Sequence, residues 1–247
     1  MNLCTDQLAL MLAAPGQLIS VSWLAHDPAA SPMAEAARAL PANRGTAEDV
    51  VMLRPDLVLA GRFTTVATVA LLERLGIPVV RFDPEDSFDD VAAGLRRMGA
   101  VLGREARAEA LVAAFEADRA RLAEAVAGIV PERAAIWYAY GYTARRTSLA
   151  GDILTAAGLA NIAEDLGLGG GGVLALESLI LAAPDHLVLG RRWPGHSQAQ
   201  ALLDHAALRG LPAHARGTML ADRDWNCGTP FVLDAVMTLL DARGLAP

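Results

Sequence analysis

Along the chain, short runs of Leu, Ile and Val alternate with segments in which Ala, Leu and Val recur every three or four positions. The first kind of run predicts buried strands, the second amphipathic helices. Taken in order, residues 5–14 predict a helix with Thr5 or Asp6 as its cap, ended by Pro15 and Gly16. Residues 18–23 read as a strand and 33–40 as a short helix, and Thr46 to Asp49 form a capping box before another helix. Residues 57–60 are a strand, followed by a helix to Leu75 closed by Gly76, a strand over 77–82 and a polar loop over 83–86.

Residues 104–127 carry helical spacing without Gly or Pro. That predicts one helix of about 24 residues, roughly 36 Å long, enough to connect two lobes. The alternation then resumes: a strand over 134–140, a helix over 149–157 capped by Ser148 and ended by Gly158, and a strand over 186–189. A helix near 198–203, a strand over 218–221, a loop over 222–229 and a last helix over 231–242 complete the chain. The expected fold is α/β: two lobes, each a mostly parallel sheet covered by helices, joined by one long helix, with a ligand cleft between them. The expected division is 1–103, the linking helix 104–128, and 129–247.

One stretch occurs twice. Residues 48–62, EDVVMLRPDLVLAGR, align without a gap on residues 177–191, ESLILAAPDHLVLGR, sharing Glu48/Glu177, Pro55/Pro184, Asp56/Asp185, Gly61/Gly190 and Arg62/Arg191. Each copy reads as a short helix stopped at proline, then a strand ending in Gly-Arg, which supports two related halves.

Composition narrows the class. A hydrophobic share of 53% with 20% charged residues is that of a globular chain, and a net charge of −7 argues against nucleic acid as partner. All 21 basic residues are arginine, so lysine chemistry is excluded. No run of about eighteen apolar residues predicts a membrane span. No signal peptide is visible, and the abrupt start at a helix reads as trimmed. Cys4 and Cys227 are two unrelated thiols in a reducing compartment, or a disulfide closing almost the whole chain in an oxidising one.

Loops expected at the strands' carboxyl edges, where open α/β sheets bind ligands, collect aromatics and arginines. They are Trp23, Arg62 and Phe63, Tyr140 and Tyr142 with Arg145 and Arg146, Arg191, Arg192 and Trp193, and Arg223 to Trp225. Any one of these is ordinary on a loop; their concentration on one edge of an acidic protein fits a large, partly aromatic, anionic ligand. Guanidiniums would grip carboxylate, phosphate or catecholate oxygens while rings stack on flat faces.

Other chemistry is thinly represented. The five histidines (His26, His186, His196, His205, His214) form no HxxxH pair and there is no CxxC, so no metal held by the protein itself is expected. Gly195 to Ala199, GHSQA, resembles a nucleophile elbow, but Arg191 to Pro194 separate it from its strand, and Ser197 reads more simply as a helix cap. The glycines at 169–172 lack the Lys-Ser/Thr of a phosphate-binding loop.

In the order and spacing of RGTAEDVVMLRPDLVLAG, LLERLGIPVVRF, SLAGDILTAAGLANIAEDLG and LESLILAAPDHLVLG, the chain resembles the periplasmic substrate-binding proteins of ABC importers for metal chelates: ferric siderophores, cobalamin and haem. That resemblance implies that Glu48 and Glu177, each seven residues ahead of its proline, dock onto arginines of the permease dimer. It adds Asp224 and Trp225 as ligand contacts. It implies a first-lobe opening strand, here reduced to Asn2 and Leu3. It also implies a periplasmic, monomeric receptor, free or as a lipoprotein, that needs no cofactor because the metal arrives inside its chelator. Arginine in six cleft positions favours an acidic ferric siderophore over a corrinoid; haem is least supported, as the first-lobe loops offer only His26. The competing readings are a serine hydrolase built on Ser197 and a binding module without an importer.

Overall fold

The computed structural model describes residues 1–190, 202–211 and 217–246. Contacts divide the chain into two compact units, Met1–Phe115 with Asn226–Pro230, and Glu116–Trp225 with Phe231–Pro247. Each is α/β.

The first unit opens with α1 (Leu3–Leu12). It starts earlier than the sequence suggests because Asn2, not Thr5 or Asp6, is the cap: its Oδ1 accepts the N–H groups of Cys4 and Thr5 at 3.0 and 3.4 Å. Asn2 and Leu3 therefore begin a helix and form no strand. Asp6, freed from capping, is buried and accepts the Ser22 N–H at 2.7 Å, fixing α1 to β1 (Val21–Ser22). That strand is shorter than expected: residues 18–20 stay outside it, and Trp23–His26 coil into a 3-10 turn.

α2 (Ala34–Ala37) and β2 (Ala42–Asn43) follow, with β2 parallel to β1. Then come α3 (Ala47–Met52), β3 (Val58–Gly61), α4 (Val66–Arg74) and β4 (Val79–Phe82), with β4 parallel to β3. The expected cap holds at α3, where Thr46 Oγ1 accepts the Asp49 N–H at 3.2 Å. A cavity of about 280 Å³ is lined by residues of both strand pairs, among them Ser20, Asn43, Val58 and Leu59. The sequence reading placed no helix over α5 (Phe88–Leu102), which is capped by Ser87 and ends at Gly103 in the left-handed region. The 21-residue α6 (Glu105–Ala125), roughly 32 Å long by its rise per residue, carries the division between the units within it.

Leu8, Leu12, Leu72, Val91, Leu95 and Phe115 are buried in the first unit, with Phe88 and Phe115 edge to face at 6.0 Å. Segment 226–230 returns to this unit, and Cys4 and Cys227 form a disulfide with their Cα atoms 5.1 Å apart.

The second unit takes the rest of α6, then β5 (Glu132–Trp137), β6 (Tyr142–Thr143), α7 (Leu149–Ala156) and β7 (Leu159–Asn161). β8 (Gly172–Val173), α8 (Leu176–Ala182) and β9 (His186–Gly190) come next. α9 (Ala206–Arg209), β10 (Thr218–Leu220), α10 (Asp222–Trp225) and α11 (Val232–Ala242) complete it. Its parallel sheet has the order β10-β9-β5-β7, and β6 pairs antiparallel with β8. Several elements differ from expectation: β5 stops at Trp137 rather than at 140, β6, β7, β8 and α9 are additional, and the expected loop over 222–229 begins as helix α10. The expected helix near 198–203 falls mostly outside the described residues.

Candidate ligand-binding site

In the second unit the sheet order places a topological switch between its two central strands. From β5 the chain crosses to β7 on one side; from β9 it crosses to β10 on the other. Loops leaving β5 and β9 therefore diverge at their carboxyl ends and leave a crevice there, the usual ligand position of an open parallel sheet.

The loop after β5 is where the candidate aromatics gather. Trp137 is fully buried, and its Nε1 donates to the Leu174 carbonyl at 3.0 Å, anchoring the loop's root. Tyr138 lies across the end of β9, where a Cβ on Gly190 would stand 2.7 Å from the Tyr138 ring, so the glycine of the second Gly-Arg makes room for it. Tyr138 is flanked by Trp225 with ring centroids 4.9 Å apart and by Tyr142 at 6.3 Å. Burial, with the Asp222 and Tyr142 charges adding to it, pushes the Tyr138 phenol above its usual range, so it remains a neutral donor. Tyr140 sits at φ 60, a left-handed backbone that costs a non-glycine residue about 1 kcal/mol or more. The residue is 64% exposed. Such strain at an exposed aromatic is expected where a side chain is held out for use.

Two arginines follow Tyr142 in the same loop. Arg145 Nε donates to the Thr147 carbonyl at 3.0 Å, and Arg146 is paired with Glu164 at 2.9 Å, which raises its pKa further. A Cβ on Gly151 would lie 1.9 Å from the Arg146 carbonyl oxygen, so the loop rests directly on the first turn of α7. Beyond β10, Asp224 is raised by burial, opposed by the Arg223 guanidinium at 3.3 Å. Trp225 is only 6% exposed and its buried Nε1 has no hydrogen-bond partner among the described residues, so it backs the aromatic cluster rather than presenting a free face.

In the first unit, Trp23 follows β1 and Arg62 and Phe63 follow β3, all exposed, with Arg62 3.6 Å from Asp83. His26 closes the turn that Trp23 opens, and its Nε2 is buried without a partner among the described residues. Arg191, Arg192, Trp193 and the serine considered as a nucleophile, Ser197, lie outside the described residues. Sequence reasoning did not select Tyr138 as a site residue; the tyrosine directly after a buried tryptophan had no sequence signal to distinguish it from core. Among the described residues, no cluster of three or more His, Cys, Asp or Glu could hold a metal ion. No described helix is long and apolar enough to cross a membrane.

Comparison with known proteins gives the family of the chain. The family model for periplasmic binding proteins matches residues 1–222. The chain belongs to that family. A protein of Halobacterium salinarum named cobalamin-binding protein is 32% identical over 179 residues, 70% of this chain and 48% of that one, so the chain spans about half the length of this curated relative. The periplasmic heme-binding protein RhuT from Roseiflexus, in apo form, superposes with a TM-score of 0.79 at 23% identity, covering 98% of this chain and 96% of RhuT. A protein of an ABC-type Fe3+-hydroxamate transport system from Saccharomonospora viridis gives 0.64 at 25% identity, covering 85% of this chain and 79% of that one.

Proposed function

We propose that the chain is a periplasmic receptor, not an enzyme, which captures a metal chelate and delivers it to an ABC importer. The observation that carries this is the Tyr138–Tyr142–Trp225 cluster beside Arg145 and Arg146 at the switch point of the second sheet. The exposed rings of Tyr140 and Tyr142 stack on a flat ligand with Trp225 behind them, the guanidiniums take its anionic oxygens, and the phenol of Tyr138 donates a hydrogen bond. Trp23, Arg62 and Phe63 give the first unit an edge of the same chemistry. Arginine-rich loops favour an acidic ferric siderophore, with the metal carried by its chelator and no resident cofactor. The corrinoid reading is favoured by the relative named as cobalamin-binding. Glu48 and Glu177 dock the importer, and the receptor acts as a monomer.

The test is tryptophan fluorescence against ferric siderophores, cobalamin and haemin, each beside its metal-free form. Saturable quenching by ferric siderophores, weakened at least tenfold by Arg145→Gln with Arg146→Gln, is the expected result. Saturable quenching by cobalamin alone selects the corrinoid reading, and no response to any of them overturns the site.

A further inference from the structure

Helices α3 and α8, the two copies of the internal repeat, match in more than sequence. From Glu48 to Arg54 and from Glu177 to Ala183 the residues run exposed, half-buried, buried, half-buried, exposed, half-buried, exposed, in the same order. Both segments end on a residue in the left-handed region, Arg54 at φ 50 and Ala183 at φ 42, immediately before the shared proline. Apart from Tyr140, these are the non-glycine residues with positive φ among the described residues. Without glycine such a stop is strained, and here it recurs at the same repeat position.

The exposed positions are what this frame presents. Met52 follows Glu48 by four residues and Leu181 follows Glu177 by four, so each apolar side chain shares a helix face with its glutamate. Met52 is 82% exposed and Leu181 86%. A single exposed apolar residue is ordinary on a protein surface. Two at equivalent positions of a duplicated element, each one turn past a glutamate with no hydrogen-bond or ion-pair partner among the described residues, are a repeated surface feature.

We propose that Met52 and Leu181 are the apolar anchors of the importer-docking surface, each working with the glutamate one turn before it. The proposal rests on the importer reading above. The duplicated acid-plus-apolar patch fits a partner that offers the complement twice: two copies of one transmembrane chain, each with a cationic side chain beside a shallow apolar hollow. The glutamate supplies a long-range, salt-screened attraction and the anchor a short-range, salt-insensitive one. An unbranched thioether and a leucine fill hollows of similar volume, so near-identical partner surfaces accept both.

The experiment measures binding of the receptor to the importer's transmembrane dimer in lipid nanodiscs. It compares wild type, Met52→Ser with Leu181→Ser, and Glu48→Gln with Glu177→Gln, at low and high salt. Burying each anchor is worth roughly tenfold in affinity, so the serine pair should bind about a hundredfold more weakly. The deficit should persist at high salt, with thermal unfolding and quenching by the chelate panel unchanged. Loss of binding in the glutamine pair alone, with the serine pair at wild-type affinity, overturns the anchors and leaves the docking reading standing. Wild-type binding by both pairs overturns both. A self-association of the purified receptor in sedimentation that the serine pair abolishes assigns the surface to a second copy of this chain and overturns the proposal.

Discussion

Glu85 should make the protein less stable as pH rises from mildly acidic to neutral, the reverse of an ordinary paired carboxylate. It lies just after β4, half-buried beside segment 226–230, in a space that two glycines leave open. A Cβ on Gly228 would stand 2.2 Å from Glu85 Cβ, and one on Gly94 3.0 Å from Glu85 Oε1. Burial pushes its carboxyl from 4.5 up to about 7, and the charges of Asp90 and Asp83 add to the rise; its own N–H and that of Gly228 oppose it. Arg97 lines the same cavity of about 180 Å³. Because the folded pKa lies above the unfolded one, the native state holds the extra proton between them. The stabilisation is complete below about pH 4.5, falls through the window and is gone above about pH 7. At about 1.4 kcal/mol per pH unit the ceiling is about 3 kcal/mol, and solvent screening of a partly exposed carboxyl brings it to about 1–2 kcal/mol. Urea unfolding of wild type and Glu85→Gln at half-unit steps from pH 4.5 to 8 isolates this group from the other carboxylates. The two should coincide near pH 5, and the glutamine variant should be the more stable at pH 7.5. A wild-type-minus-variant difference that is flat across that range, or that grows in favour of wild type, refutes the reasoning.

Breaking the Cys4–Cys227 bond, by reduction or by replacing both with serine, should cost about 5 kcal/mol on the chain-entropy scale for a loop of this length, read from denaturant midpoints. Gly151→Ala should be among the most damaging single substitutions, because its Cβ would meet the Arg146 and Arg145 carbonyl oxygens at 1.9 and 3.0 Å; the expected result is a loss of chelate binding together with about 2 kcal/mol or more of stability. Gly190→Ala should push the Tyr138 ring off the end of β9 and shift Trp225 emission while leaving the unfolding midpoint nearly unchanged; an unaltered spectrum would count against the ring stack.

Much of this fold was legible because its signals are local. Thr46 and Ser148 cap where the pattern puts them, and Gly76 and Gly158 take positive φ at the ends of their helices. The internal repeat was legible as well, since each copy builds the same helix, stop and strand. What failed was decided at longer range. Thr5 and Asp6 looked like caps, yet Asp6 is buried against the Ser22 N–H, a partner sixteen residues away, and Asn2 takes the role. The stretch 222–229 looked like loop because it is polar, but Asp222–Trp225 coil, with the buried Trp225 against Tyr138. The edge residues were selectable by type and position; Tyr138 was not, because its place depends on Gly190, in a different strand.

The disulfide sets an order of events during biosynthesis. Cys4 belongs to the first unit, and so does Cys227, yet every residue of the second unit up to Trp225 is made between them. The first unit therefore cannot be sealed as it emerges; it waits, with a free thiol, until residue 227 has been released. Oxidation then reports that the second unit up to Trp225 has been made, and a chain cut short before residue 227 carries Cys4 as an unpaired thiol open to capture by the quality-control machinery of an oxidising compartment.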